Sequence, residues 1–130
     1  MKNDKILRII DANVNRYKEG IRVVEDIVRY IYDNKDLAYQ LKSLRHLSIP
    51  IDIKDLLSSR DSINDVLKSS TKSEIKRDNL ENIILANFKR SQESARVLEE
   101  IFKLIDINTS ELFKKNRYLL YELEKLVLEL

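Results

Sequence analysis

Cysteine is absent from this 130-residue chain. That excludes a disulfide framework, an iron–sulfur cluster and a thiol nucleophile, and it fits a reducing compartment. One histidine, His46, with no cysteine to join it, leaves too few ligands for a structural zinc site. Glycine and proline occur once each, as Gly20 and Pro50. A β-sandwich or barrel needs many turns rich in those residues, and a dinucleotide-binding fingerprint or a phosphate-binding loop needs several glycines close together. Both are excluded. An excess of one charge is also lacking. Basic residues number 24 and acidic ones 22, a net of +2, too little to drive nucleic-acid binding by charge. No apolar run is long enough to span a bilayer, and the start, MKNDKILRII, lacks the apolar core of a signal peptide. A cytoplasmic location is expected, with neither nucleic acid nor membrane as partner.

What is present is an amphipathic, highly charged chain of one-domain size. Ile10, Val14, Tyr17, Ile21, Val24, Val28 and Ile31 recur at steps of four and three, which predicts a helix over about 5–33, capped by Asn3 or Asp4. Leu37, Leu41, Leu44 and Leu47 predict a shorter helix ending before Pro50. Ile84, Phe88, Ser91, Ala95, Leu98, Phe102 and Ile105 repeat the first pattern over about 79–105, with Asp78 or Asn79 as cap. A last helix is expected from about Ser110, with Thr109 or Asn108 near its cap. Its apolar face is read as Leu112, Leu119, Leu123, Leu126 and Leu130. The polar stretch from about Ser58 to Lys76 reads as a long loop, after a short helix around 53–57.

The two long helices share more than a stripe. With an offset of 74, residues 11–30 and 85–104 are identical at eight of 20 positions: Ala12/Ala86, Asn13/Asn87, Arg16/Arg90, Glu19/Glu93, Arg22/Arg96, Val23/Val97, Glu25/Glu99 and Ile27/Ile101. Five of these pairs are polar, which amphipathicity alone does not require. Lys42-x-x-Arg45-His46 and Lys114-x-x-Arg117-Tyr118 echo each other in the following helices. The expected fold is all-α: a duplicated helical hairpin forming a four-helix arrangement with pseudo-two-fold symmetry and a polar central loop. The halves fall at about 1–50 and 77–130, joined by a linker at about 51–76, in a single helical domain.

Asn13, Arg16 and Gly20 lie on one helix border, as do Asn87, Arg90 and Ser94, with Glu19 and Glu93 beside them. A guanidinium fork, an amide and a carboxylate there suit a ligand carrying phosphate and a hydrogen-bonding heterocycle. The small residues let either a ligand or another backbone approach closely. The plainer reading is that Arg/Glu pairs at this spacing are solvent-facing helix ion pairs. Arg60-Asp61 would then be a turn or cap, and His46 an ordinary surface or core histidine.

These residues carry a family resemblance. RIIDANVNRYKEGIRVVED (8–26), LKSLRH (41–46), RDSINDVL (60–67), ANFKRSQESARVLEE (86–100) and Arg117, Tyr118, Tyr121, Leu123 and Glu124 follow one another in order. The chain resembles the small hydroxymethylpyrimidine phosphate kinases of thiamine biosynthesis, which occur free-standing or as an N-terminal domain fused to thiamine phosphate synthase. Ser62 stands where the family pattern has threonine. Leu67 stands in place of a glycine, removing a residue that a backbone phosphate cradle would use. The resemblance implies phosphoryl transfer from ATP, with magnesium, to 4-amino-5-hydroxymethyl-2-methylpyrimidine phosphate. The bond joining pyrimidine to thiazole is not expected of a chain with no synthase barrel.

On that reading Arg16, Arg45, Arg60, Arg90 and Arg117 are the expected phosphate contacts, with Arg60, Asp61, Arg16 and Arg90 at the reacting groups. Asp61, Glu19 or Glu93 are the magnesium candidates. Asn13 or Asn87 would read the aminopyrimidine edge, with Gly20 and His46 also expected at the binding site. Thiamine phosphate synthase and a second copy of the chain are candidate partners. The alternative is a non-catalytic helical docking or regulatory module of that synthase.

Overall fold

The computed structural model describes residues 4–130, apart from the side chain of Ser73. Among these residues all regular structure is helical: α1 (Asp4–Tyr30), α2 (Lys35–Arg45), α3 (Ile53–Ser59), the single turn α4 (Lys72–Ile75), α5 (Leu80–Phe102) and α6 (Ile107–Leu128). The proposed cap Asn3 lies outside the described residues.

α1 and α5 form the centre, because each has one apolar stripe and each stripe needs a cover. Ile10, Tyr17, Ile21, Val24 and Val28 of α1 and Ile84, Phe88, Ala95, Leu98 and Phe102 of α5 are buried in one core. The helices run antiparallel: Ser91 Oγ donates to the Tyr17 carbonyl at 2.9 Å, and Gly20 faces Asn87 and Ser91. Tyr17 and Ser91 are equivalent positions of the repeat. Equivalents meet in this way where a two-fold axis crosses between two helices. α2 packs on α1, α6 packs on α5, and α2 and α6 touch only lightly.

Local chemistry sets the ends. Asn34 accepts from Leu37 N at 3.0 Å and starts α2, following Asp33 with φ of 50°, a left-handed turn residue. Asn79, one of the two expected caps, accepts from Asn82 N at 2.8 Å. α1 stops at Tyr30, three residues short of the expected end, and leaves Ile31 exposed. α6 begins three residues before the expected Ser110. Its N-cap is Asp106 rather than Asn108 or Thr109, and the Thr109 hydroxyl donates to the Asp106 carboxylate.

The apolar face of α6 also differs from expectation. Phe113, Leu120, Leu123 and Val127 are buried, whereas Leu112, Leu119, Leu126 and Leu130 are exposed. Leucines cover two adjacent faces of this helix, so helical spacing fits either stripe. The buried face is the one that carries Phe113, stacked on Phe102, and two polar groups with partners on other helices. Ser110 Oγ donates to the Glu99 carbonyl at 2.7 Å, and Asn116 Nδ2 donates to the Tyr17 hydroxyl at 3.1 Å. That hydroxyl in turn donates to the Leu44 carbonyl at 2.9 Å. Tyr17 therefore ties α1, α2 and α6 together, and burial pushes its phenol well above the usual range.

The expected long loop is present. After α3 the chain runs through turns and the short α4 to residue 79. α3 itself lies against α1, anchored by the buried Leu56. That contact brings the start of the loop over the first half of α1.

Candidate functional site

Asp11 follows the core residue Ile10 and is itself buried. A buried carboxylate needs a cation. Arg60, at the C-terminus of α3, supplies it as a fork: Nε to Oδ2 and Nη2 to Oδ1, both 2.7 Å. The Asp11 carboxylate holds this guanidinium firmly protonated. A second latch runs from Arg8 Nη2 to the Asp61 carbonyl at 2.9 Å. The Asp61 carboxylate closes the next turn, accepting from Asn64 Nδ2 at 2.8 Å and Asn64 N at 3.2 Å, and these bonds hold it below the ordinary carboxylate range. Asp65 accepts from Leu67 N at 3.0 Å.

Between α1 and this loop lies a cleft of about 480 Å³. Lys5, Arg8 and Arg16 line its helix wall, and Arg60, Asp61 and Asp65 its loop side. Asp11 neutralises Arg60, so the remaining cations of α1 face two loop carboxylates. An anionic group can sit on the helix wall with its counter-cation toward the loop. A second cleft of about 250 Å³ opens between α1 and α5, lined by Asn13, Arg16, Arg90, Glu93, Ser94 and Val97. Asn13 and Arg16 belong to both.

The two arginines expected at the reacting groups on the long helices thus come together. Arg16 and Arg90 are exposed and, among the described residues, make no ion pair or hydrogen bond. Asn13 donates to the Ile9 carbonyl at 2.9 Å, and Asn87 to the Ile83 carbonyl at 2.8 Å, the same bond in each repeat. Asn13 reaches both clefts, but Asn87 lines neither.

Other expected site residues are placed elsewhere. Arg45 forks onto the buried Glu25, at 2.7 and 3.2 Å. Arg117 binds the buried Glu99 at 3.1 and 3.3 Å and the Tyr121 hydroxyl at 3.3 Å, with its guanidinium over the Tyr118 ring. Glu25 and Glu99 are repeat equivalents, so this is one structural ion pair made twice, joining the helices of each hairpin. His46 caps the end of α2 and lines a separate depression with Lys18 and Arg45. Glu19 is exposed and outside both clefts. A Cβ on Gly20 would stand 2.8 Å from the Asn87 carbonyl oxygen, so the partner that approaches this glycine is the α5 backbone and not a ligand.

Asp61, Glu19 and Glu93 do not form a joint cation site. Among the described residues no three metal-ligating side chains converge. The residue that sequence reasoning missed is Asp11. Its signal was the repeat itself, since Leu85 occupies the equivalent position. A carboxylate where the other copy has leucine calls for a cation from outside the repeat.

Among the described residues no helix is long and apolar enough to cross a membrane. Comparison with known proteins places this sequence in a family. The chain is 41% identical over 120 residues to a thiamine-phosphate synthase of Synechocystis, covering 92% of itself and 35% of that protein. It is 36% identical over 120 residues to one of Nostoc punctiforme, covering 92% and 34%, and 35% identical over 122 residues to one of Rhodopirellula baltica, covering 89% and 32%. It spans about a third of the length of these relatives. No solved structure matches it. The profile of the ThiD2 family matches residues 8–126, nearly the whole helical unit, and the chain belongs to that family.

Proposed function

We propose that the chain acts in thiamine biosynthesis as a phosphotransferase, converting 4-amino-5-hydroxymethyl-2-methylpyrimidine phosphate to its diphosphate with ATP. The observation that carries this reading is the convergence of Arg8, Arg16, Arg60 and Arg90 with Asn13 around adjoining clefts, Arg16 and Arg90 having no partner among the described residues. The nucleophile would be a phosphate oxygen of the substrate, ionised near neutral pH, so no strong general base is needed. That oxygen forms a bond to the γ-phosphorus of ATP as the bond to the bridging oxygen breaks and ADP leaves. The protein's share is positioning and charge neutralisation.

Asp61 and Asp65 are the carboxylates available to a magnesium ion on the nucleotide. Each already holds a turn, so contact through water fits them better than an all-protein cage. Such an ion supplies charge neutralisation at the phosphates. The test is ATP consumption by the purified chain with magnesium. Turnover is expected with the pyrimidine monophosphate and far less with the free alcohol, which lacks the phosphate that the arginines would grip. Equal turnover of both would refute the reading.

A second reading has its own support. The matched relatives are called thiamine-phosphate synthases and are about three times as long as the aligned unit, which fits a helical docking or regulatory module of that enzyme. This bears more directly on an association with the synthase than on kinase chemistry. Mixing the chain with a thiamine-phosphate synthase separates the readings. A module changes synthase turnover while consuming no ATP by itself.

A further inference from the structure

The scaffold is nearly symmetric but the clefts are not. The repeat equivalents of Lys5, Arg8 and Asp11 are Asn79, Asn82 and Leu85. The charged set on the first half of α1 therefore has no copy on α5. Arg16 and Arg90, in contrast, are equivalents brought to one cleft by the pseudo-two-fold packing of α1 on α5. Two guanidinium groups lining one space, with no partner among the described residues, call for an anion there. Two adjoining spaces of unlike size and chemistry, sharing Asn13 and Arg16, are what a reaction between two unlike substrates requires.

We propose that the clefts are two halves of one bisubstrate site, with the nucleoside triphosphate in the larger, the aminopyrimidine phosphate in the smaller, and Arg16 on their common wall where the phosphoryl group crosses. This rests on the phosphotransferase reading and adds the placement of each substrate. The larger cleft carries the run of cations that a polyphosphate needs, and its loop carboxylates face a bound counter-ion. In the smaller, Arg90 takes the phosphate of the acceptor, Glu93 accepts from its exocyclic amine, and Val97 offers an apolar wall to the ring. An acceptor oxygen bonds to the γ-phosphorus, the γ-phosphorus bond to the bridging oxygen breaks, and ADP stays in the larger cleft. Arg16 reaches both sides and neutralises charge on the group in transit.

The test is initial-rate kinetics of the full chain with magnesium, varying ATP and pyrimidine monophosphate independently, with a melting temperature for every variant. Intersecting lines are expected, since both substrates are held at once. Lys5→Gln should raise KM for ATP only, and Arg90→Gln KM for the pyrimidine only. Arg16→Lys should lower kcat about ten- to a hundred-fold with both KM values little changed, because lysine cannot make the fork. Folding is expected to survive, since Arg16 and Arg90 are exposed. Parallel lines, a shared KM shift in the Lys5 and Arg90 variants, or unchanged kcat in Arg16→Lys would overturn the placement. If the unaltered chain turns over neither substrate, the phosphotransferase reading fails and this one with it. Turnover without the KM split sinks this one alone.

Discussion

Gly20 shows how one missing Cβ sets the distance between two helices. Alanine is the better helix former by about 1 kcal/mol. Here its Cβ would lie 2.3 Å from Ser91 Oγ and 2.8 Å from the Asn87 carbonyl oxygen. The hydroxyl could rotate away only by giving up its bond to the Tyr17 carbonyl, and the backbone oxygen cannot move without the helix. Overpacking of this kind costs about 1–3 kcal/mol. Gly20→Ala should therefore be destabilising on balance, by on the order of 1 kcal/mol in urea unfolding, against the helix-propensity trend. Asp61 makes a different residue-scale point. Its carboxyl is held below the usual value of 3.8 chiefly by Asn64. The stabilisation this gives the turn is present above that value and is lost as pH falls through the lower, folded one. In Asn64→Ala the Asp61 titration followed by NMR should move up toward 3.8, and the turn should loosen at a higher pH than in the unaltered chain.

At the scale of elements, the repeated ion pair explains why each hairpin holds together. Glu25 and Glu99 are buried beneath Arg45 and Arg117, whose side chains are only 16% and 13% exposed. Removing Arg45 leaves Glu25 buried without its partner, which costs about 2–4 kcal/mol for a pair this enclosed. Arg45→Ala should lower stability by such an amount, and Arg117→Ala by less, because Arg96 Nη1 still reaches Glu99 Oε2 at 3.1 Å. Each should leave pyrimidine phosphate binding to the folded protein unchanged, because neither side chain lines the α1–loop or α1–α5 clefts. Calorimetric titration of the folded variants checks this, and a lost ligand affinity with intact stability would contradict it. α6 teaches the reverse lesson. Its leucines satisfy helical spacing on two faces, and the face that turns inward is the one carrying Phe113, packed on Phe102 and Tyr17, and Ser110 and Asn116, with partners on α5 and α1.

For the whole molecule, the duplication makes each half dependent on the other. The stripe of α5 is covered by α1, so a fragment of residues 77–130 would expose Ile84, Phe88 and Ala95. Such a fragment can cover that stripe only with a second copy of itself, around the same two-fold. Its helicity by circular dichroism should therefore depend on concentration. A cooperative melt independent of concentration would show that the halves are not interdependent. The full chain should unfold in one transition, since a single core runs through both halves.

Much of this was legible in the residues themselves. One glycine and one proline left only helices. The alternating stripes located α1, α2 and α5, because burial of one helix face is a local, periodic demand. The eight matched positions disclosed the duplication, and with it the packing of α1 on α5. What each matched polar residue does was not legible, because that depends on groups distant in the chain. Arg16, Arg45 and Arg90 look alike as letters. Tertiary structure gave Arg45 a buried glutamate and left Arg16 and Arg90 facing a cleft. It also brought Arg60, 49 residues away, to the buried Asp11. Periodicity reports which side of a helix is inside. Only packing decides whether a charge on its border meets a partner or remains free for a ligand.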